Sequence, residues 1–138
     1  MSINVQRVSA ETVEESFLKS LSLLEQAHRR LHDVVKDDLE RAGERSLTGV
    51  QALLIYEIGE GKTPASALRA RGAFAGTSLS YNVKKLQEAG YLVQERSKDD
   101  KRTVQLTLTP RGLAVRARVS KLFEKHASAL EPTASVRP

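Results

Sequence analysis

The sequence predicts a mainly α-helical fold carrying one small β-hairpin, and three observations predict it. Residues 10–41 run without Pro or Gly and place Phe17, Leu21, Leu24, His28, Leu31 and Val35 at alternating steps of four and three, a heptad seam. Leu79, Val83 and Leu86 fall at i, i+4 and i+7, one apolar stripe of helical period. Beyond Gly90, the residues Val104, Leu106 and Leu108 alternate with Thr103, Gln105, Thr107 and Thr109, the two-residue period of a half-buried strand. A chain of 138 residues suffices for one compact domain with its own core.

In order along the chain, the first helix spans roughly Ala10 to Arg41, and Leu18, Leu23, Val34 and Leu39 widen its apolar face beyond a single seam. A helix this long and two-sided exceeds what a small domain can cover. Residues 1–46 are therefore expected to form a dimerisation helix, with Phe17, Leu21, Leu24, His28, Leu31 and Val35 meeting a second copy. A monomer with helices folded back on one another is the competing arrangement. Ala42-Gly43-Glu44-Arg45 breaks this helix, and Ser46 or Thr48 caps a second one. Leu47, Val50, Leu53, Leu54 and Ile58 face inward there, and Gly59 and Gly61 end it.

Thr63-Pro64 is expected to start a third, short helix, with Pro at the first helical position after a capping Thr, running to about Arg71. Residues 72–76 make a turn with Phe74 as its core plug, and the fourth helix covers 77–89. A hairpin follows, and its tip Lys98-Asp99-Asp100-Lys101-Arg102 is too charged to bury. Pro110-Arg111-Gly112 opens a last helix, residues 110–130, the second flanking dimerisation helix. The tail 131–138 holds two Pro and no apolar anchor, so disorder is expected there. A helix able to enter a groove, followed by a hairpin with cations at its end, makes residues 47–109 a winged helix-turn-helix.

Charge distribution agrees with that layout. Residues 61–126 carry 14 Lys and Arg against 5 Asp and Glu, whereas residues 1–46 carry 7 against 9. A positive excess coinciding with the helix-hairpin unit is the footprint of a surface that binds phosphates; a generally basic protein would spread it more evenly. The longest apolar run, Ala52 to Tyr56, is far short of the roughly 18 residues that a membrane helix needs. The opening MSINVQRVSAE lacks the apolar stretch of a signal peptide, so a cytoplasmic location is expected, with no membrane partner. The absence of Cys excludes thiol redox sensing and Cys-based zinc sites.

Taking Leu79 as the centre of the buried face of the fourth helix, a turn of about 100° per residue puts Thr77, Ser78, Ser80, Tyr81, Lys84 and Lys85 outward. Those six are candidates for the major groove of double-stranded DNA. Lys84 and Lys85 suit guanine edges or phosphates, and Tyr81 suits a thymine methyl or a phosphate. Asn82 borders the core and reads as structural. Arg102, held extended by Asp100, suits a narrow minor groove, and Lys98 and Lys101 add phosphate contacts. A solvated helix face and an ordinary charged hairpin tip are the plain alternatives.

His28 and His32 have the i, i+4 spacing of a two-histidine metal site, but no Cys or second motif joins them. Packing at a helix seam is the simpler reading, an interface sensitive to pH or ligand the intermediate one, and no metal or cofactor is assigned. Gly59-Glu60-Gly61-Lys62-Thr63 lacks the strand and glycine spacing of a phosphate loop and reads as a turn. No catalytic constellation presents itself, so an enzyme is not expected.

Several of these residues together resemble the MarR family of regulators. Leu47-Thr48-x2-Gln51-x-Leu53-Leu54 is similar to the opening helix of that family's winged-helix module. Leu79-Ser80-x2-Val83-x2-Leu86-x3-Gly90-Tyr91-Leu92 resembles its recognition helix and first wing strand, and Asp100-Lys101-Arg102 the Asp-x-Arg of its wing tip. Leu106-Thr107-Leu108-Thr109-x2-Gly112 resembles its second wing strand and entry to the last helix. The match spans residues 47–112, while the flanking helices fit in length only. It implies a homodimeric transcription regulator on a near-palindromic operator, often released by a small-molecule effector. The family's pocket lies between dimerisation helices and core, where Tyr56, His28 and Arg29 are candidates without a site being claimed. The stretches around Leu68 and Ser80 resemble an alphaproteobacterial branch linked to stress and cell-envelope control.

Two departures stand out. The chain has Leu68-Arg69 where the family usually has Leu-Ala, and Gly72 where it usually has Leu, so the third helix is expected to be shorter or differently packed. The alternative function is a winged-helix interaction module whose basic face docks an acidic protein partner.

Overall fold

A computed structural model describes the backbone of residues 2–71, 78–100 and 102–129, with side chains from residue 12 onward. Thr77, Lys101, the turn with Phe74, and the tail 131–138 lie outside the described residues. Helix α1 covers Ser2–Arg41. It begins well before Ala10 because nothing between carries Pro or Gly, although those residues show no apolar stripe to announce it. Gly43 ends α1 at φ 89°. Its N–H donates to Glu40 O (3.0 Å) and that of Glu44 to Leu39 O (2.9 Å), the paired closure that a left-handed glycine permits.

Helix α2 (Gly49–Ile58) starts at Thr48, whose hydroxyl accepts from the Gln51 amide (3.1 Å) while the Gln51 side chain accepts from the Thr48 amide (3.2 Å). Of the two caps considered, Thr48 forms it, as a reciprocal capping box. Ala52, Leu54, Ile55 and Ile58 are buried, whereas Val50 and Leu53 are only half-buried. The inward face inferred from one helical stripe was too narrow. The helix packs against both the last helix and the sheet, so it is apolar nearly all round.

Thr63–Pro64 corrects the sequence reading. These two residues form strand β1, and α3 (Ala65–Ala70) follows, with Pro64 at the N-cap and no side-chain cap. The Thr63 hydroxyl donates instead to the Ile58 carbonyl. A Pro on a short edge strand loses no ladder bond, which is why a two-residue strand and a helix start look alike in sequence. β1 pairs antiparallel with β3 (Val104–Leu108), which pairs antiparallel with β2 (Leu92–Arg96), giving the order β1-β3-β2. The expected hairpin is thus two strands of a three-stranded sheet.

Between them α4 (Ser78–Glu88) ends at Gly90, φ 86°. The N–H of Gly90 donates to Gln87 O (3.1 Å) and that of Tyr91 to Leu86 O (2.9 Å), the same closure as at Gly43. Helix α5 (Pro110–Ala129) buries Val115 and Val119. A Cβ on Gly112 would come within 2.1 Å of the Tyr91 carbonyl oxygen, so α5 meets the base of the wing backbone to backbone. Farther along, Phe123 meets Tyr56 of α2 edge-on at 4.9 Å, a favourable ring geometry.

Two compact units emerge, residues 1–34 and 35–138. The division falls inside α1 rather than at 46/47, because Val35 and Leu39 are buried in the core of the second unit. That unit also contains α5, with no boundary at 109/110. In the first unit the apolar seam is uncovered: Phe17 is 61% exposed, Leu21 48% and Leu24 67%. His28 is exposed as well, and Leu31 half-buried. Val35 is fully buried, so of the six seam residues it is the one that packs within its own chain instead of offering a face to a second copy.

Candidate nucleic-acid interface

Helix α4 sorts its residues as a 3.6-residue period requires. Leu79, Val83 and Leu86 are buried; Ser78, Ser80, Tyr81, Lys84 and Lys85 are exposed. Asn82 is only 8% exposed. Its Oδ1 accepts from Gln51 Nε2 at 3.3 Å, so the residue that caps α2 also holds α4 by its inner face. On the outer face the Lys85 ammonium stands 5.7 Å from the Tyr81 ring centroid, a cation–π pair one helical turn apart. Arg69, at the end of α3, donates from Nη2 to Ser80 Oγ at 3.4 Å, a contact the helical angles of α4 alone could not reveal.

The wing projects Lys98, Asp99, Asp100 and Arg102 into solvent. Asp100 works differently from the expectation. Its carboxylate accepts from the Arg102 amide (3.0 Å) and from the Thr103 hydroxyl (3.2 Å), while its carbonyl accepts from the Thr103 amide (3.0 Å). It therefore builds the turn of the tip and orders the backbone of Arg102, not its guanidinium. This is the local bonding that makes Asp common in turns.

Ion pairing separates the positive excess into two populations. Lys62 pairs with Glu95, Arg71 with Glu57, Arg111 with Glu44, Arg116 with Glu60 and Arg118 with Asp38. Such exposed pairs add little stability, about 0–1 kcal/mol each, but they remove five cations from the available field. Among the described residues of the basic segment, Arg69, Lys84, Lys85, Arg96, Lys98, Arg102, Lys121 and Lys125 enter no ion pair. The first six lie on α3, α4 or the wing, and the last two on α5. Most of the unpaired charge of the basic segment thus falls on the helix face and hairpin.

Beneath the wing, Tyr91 is fully buried and its hydroxyl donates to Glu44. Arg111 donates to the same carboxylate (3.1 Å) and to the Ala89 carbonyl (2.9 Å), and its guanidinium lies 4.3 Å from the Tyr91 ring. The Tyr91 hydrogen bond, with help from Arg111 and against some burial, holds the Glu44 carboxyl below the usual carboxylate range. Burial, then the bond to Glu44, pushes the Tyr91 hydroxyl up. The end of α1, the first residue of the wing and the start of α5 are tied at one carboxylate.

The His28 and His32 rings lie 4.2 Å apart. Burial, then the neighbouring His28, lowers the pKa of His32, against the pull of Asp33. Among the described residues no three His, Cys, Asp or Glu gather as metal ligands, and no helix is long and apolar enough to cross a membrane.

Residues 47–112 match the family model of the winged helix DNA-binding domain. A curated relative is the exopolysaccharide II synthesis transcriptional activator ExpG of Rhizobium meliloti (strain 1021), 27% identical over 97 residues. That match covers 70% of this chain, which spans about half of that protein's length. Among solved structures, FabT of Streptococcus pneumoniae in complex with DNA superposes with a TM-score of 0.68 at 16% identity, covering 87% of each chain. Wild-type MarR of E. coli in its apo form gives 0.61 at 17% identity, covering 78% of this chain and 77% of that one. The matched model describes a DNA-binding domain, ExpG is a transcriptional activator, and FabT was solved in complex with DNA. Residues 47–112 thus match a winged-helix DNA-binding domain, set in a fold shared with MarR of E. coli and FabT of Streptococcus pneumoniae.

Proposed function

We propose that the chain is a transcriptional regulator that binds double-stranded DNA in a sequence-specific manner, as a cytoplasmic homodimer on a near-palindromic operator. The observation that carries this reading is the exposed polar and cationic face of α4 beside the wing: Ser78, Ser80, Tyr81, Lys84 and Lys85, with Lys98 and Arg102 at the tip. Thr77 and Lys101 complete the set from the sequence alone. In a helix-turn-helix the second helix enters the major groove, and a guanidinium on a wing suits the negative potential of a narrow minor groove.

The uncovered Phe17, Leu21 and Leu24 of α1 support the dimer, since an apolar face of this kind is costly in water. Two copies would double the DNA contacts and impose their symmetry on the operator. A cavity of about 360 Å3 lined by Leu39, Glu44, Val115, Arg118 and Lys121, among others, supports release by a small-molecule effector. The activator from Rhizobium meliloti acts on exopolysaccharide synthesis, which favours targets in cell-surface functions.

The test is a duplex selected from a random pool by the purified protein, then titrated with Lys85→Ala and Arg102→Ala variants. Both should bind more weakly while melting at the wild-type temperature. Each lost phosphate contact should also flatten the slope of log K against log salt by ~0.9. If the pool yields no preferred sequence while an acidic protein partner is bound tightly, the interaction-module reading takes its place.

A further inference from the structure

Arg69 is the cation that the winged-helix pattern does not account for. It lies in the last turn of α3 and is exposed. Two residues on, the Arg71 guanidinium is committed to the Glu57 carbonyl (3.1 Å) and carboxylate (3.5 Å). Arg69 has no carboxylate partner among the described residues. Its Nη2 reaches across eleven positions of sequence to Ser80 Oγ at 3.4 Å. That bond sits at the long end of the hydrogen-bond range and uses one of five guanidinium N–H donors. The Ser80 hydroxyl accepts from Arg69 and keeps its own proton to donate.

We infer that Arg69 and Ser80 together form a phosphate clamp that fixes α4 against the wall of the major groove. The inference rests on the reading of α4 as the groove helix. The helix before it in a helix-turn-helix crosses the DNA backbone, so a cation at the junction of the two meets a phosphate before any base edge. A planar fork donating two parallel N–H groups matches a phosphate better than a lysine does, and the serine O–H adds a third donor from the groove helix itself. Bound this way, the phosphate sets the depth and angle of Tyr81, Lys84 and Lys85 without contributing sequence preference.

The experiment compares Arg69→Ala, Arg69→Lys, Ser80→Ala and Lys85→Ala, titrating each against the pool-selected duplex and against a scrambled duplex over a range of salt. Arg69→Ala should weaken binding to both duplexes by the same factor, roughly tenfold for one charge-assisted contact, and flatten the salt slope by ~0.9. Arg69→Lys should keep the slope but recover only part of the affinity. Ser80→Ala should lose affinity with no change of slope. An Arg69→Ala variant with wild-type affinity and slope, in a series where Lys85→Ala still binds weakly, overturns the clamp and leaves the groove helix standing. Loss confined to the selected duplex overturns it too, because Arg69 would then read a base. If neither Arg69→Ala nor Lys85→Ala alters binding, the placement of α4 in the groove fails and the clamp fails with it.

Discussion

The contact between Gln51 and Asn82 offers the sharpest test of how α4 is held. Gln51 is 9% exposed and Asn82 8%; one amide both closes the α2 capping box and donates to Asn82 Oδ1 at 3.3 Å. Replacing Gln51 by Ala leaves that oxygen buried without this donor, at about 1–3 kcal/mol. It also removes the acceptor of the Thr48 amide, half of a capping arrangement worth ~1 kcal/mol. Asn82→Ala leaves the Gln51 amide unmatched in the same way, at a similar ~1–3 kcal/mol. The double variant has neither orphan of the Gln51–Asn82 pair, so it should be less destabilised than the two single changes added together, by roughly 1–2 kcal/mol of coupling. Urea unfolding of the four proteins with a shared m-value measures this directly. Strict additivity, within about 0.5 kcal/mol, would mean that the bond does not form in solution. The same Asn82→Ala protein, still folded, should keep the wild-type order of preference among DNA sequences. A changed order would place Asn82 at a base edge rather than in the core.

Further outcomes follow from the same structure. Gly112→Ala should lower stability by about 1–3 kcal/mol, since its Cβ would meet the Tyr91 carbonyl oxygen at 2.1 Å; an unchanged urea midpoint would contradict the close approach of α5 to the wing. Because the folded pKa of Glu44 is lowered, its contribution is present above the usual carboxylate range and lost as pH falls through the folded value. The stability gap between wild type and Glu44→Gln should therefore be full at neutral pH and close in acid, and a gap that widens in acid would reverse the sign. Leu24→Glu should shift the sedimenting species from dimer to monomer without changing the melting of residues 35–138, whereas a monomeric wild-type protein would remove the homodimer.

Much of the site was legible because it depends on short-range periods. Leu79, Val83, Leu86 and the exposed Ser80, Tyr81, Lys84 and Lys85 follow from helical angle alone, and Gly43 and Gly90 end helices where a left-handed residue is needed. What escaped were facts that need two distant segments. Thr63-Pro64 became a strand because β3 lay beside it to pair with. Asp100 turned to the amide of Arg102 because the tip closes as a tight turn, and Val35 left the seam because the core of residues 35–138 took it.

The sequence by itself determined the order of the helices and the hairpin, the buried stripe of α4, and the segment that carries the positive excess. All three are set by residues within a few positions of one another. Only the tertiary structure decided which cations remain free. Arg111, Arg116 and Arg118 meet carboxylates 67, 56 and 80 positions away, and Arg69 reaches Ser80 across 11 positions. Charge is additive along a chain, but its availability depends on folded distance.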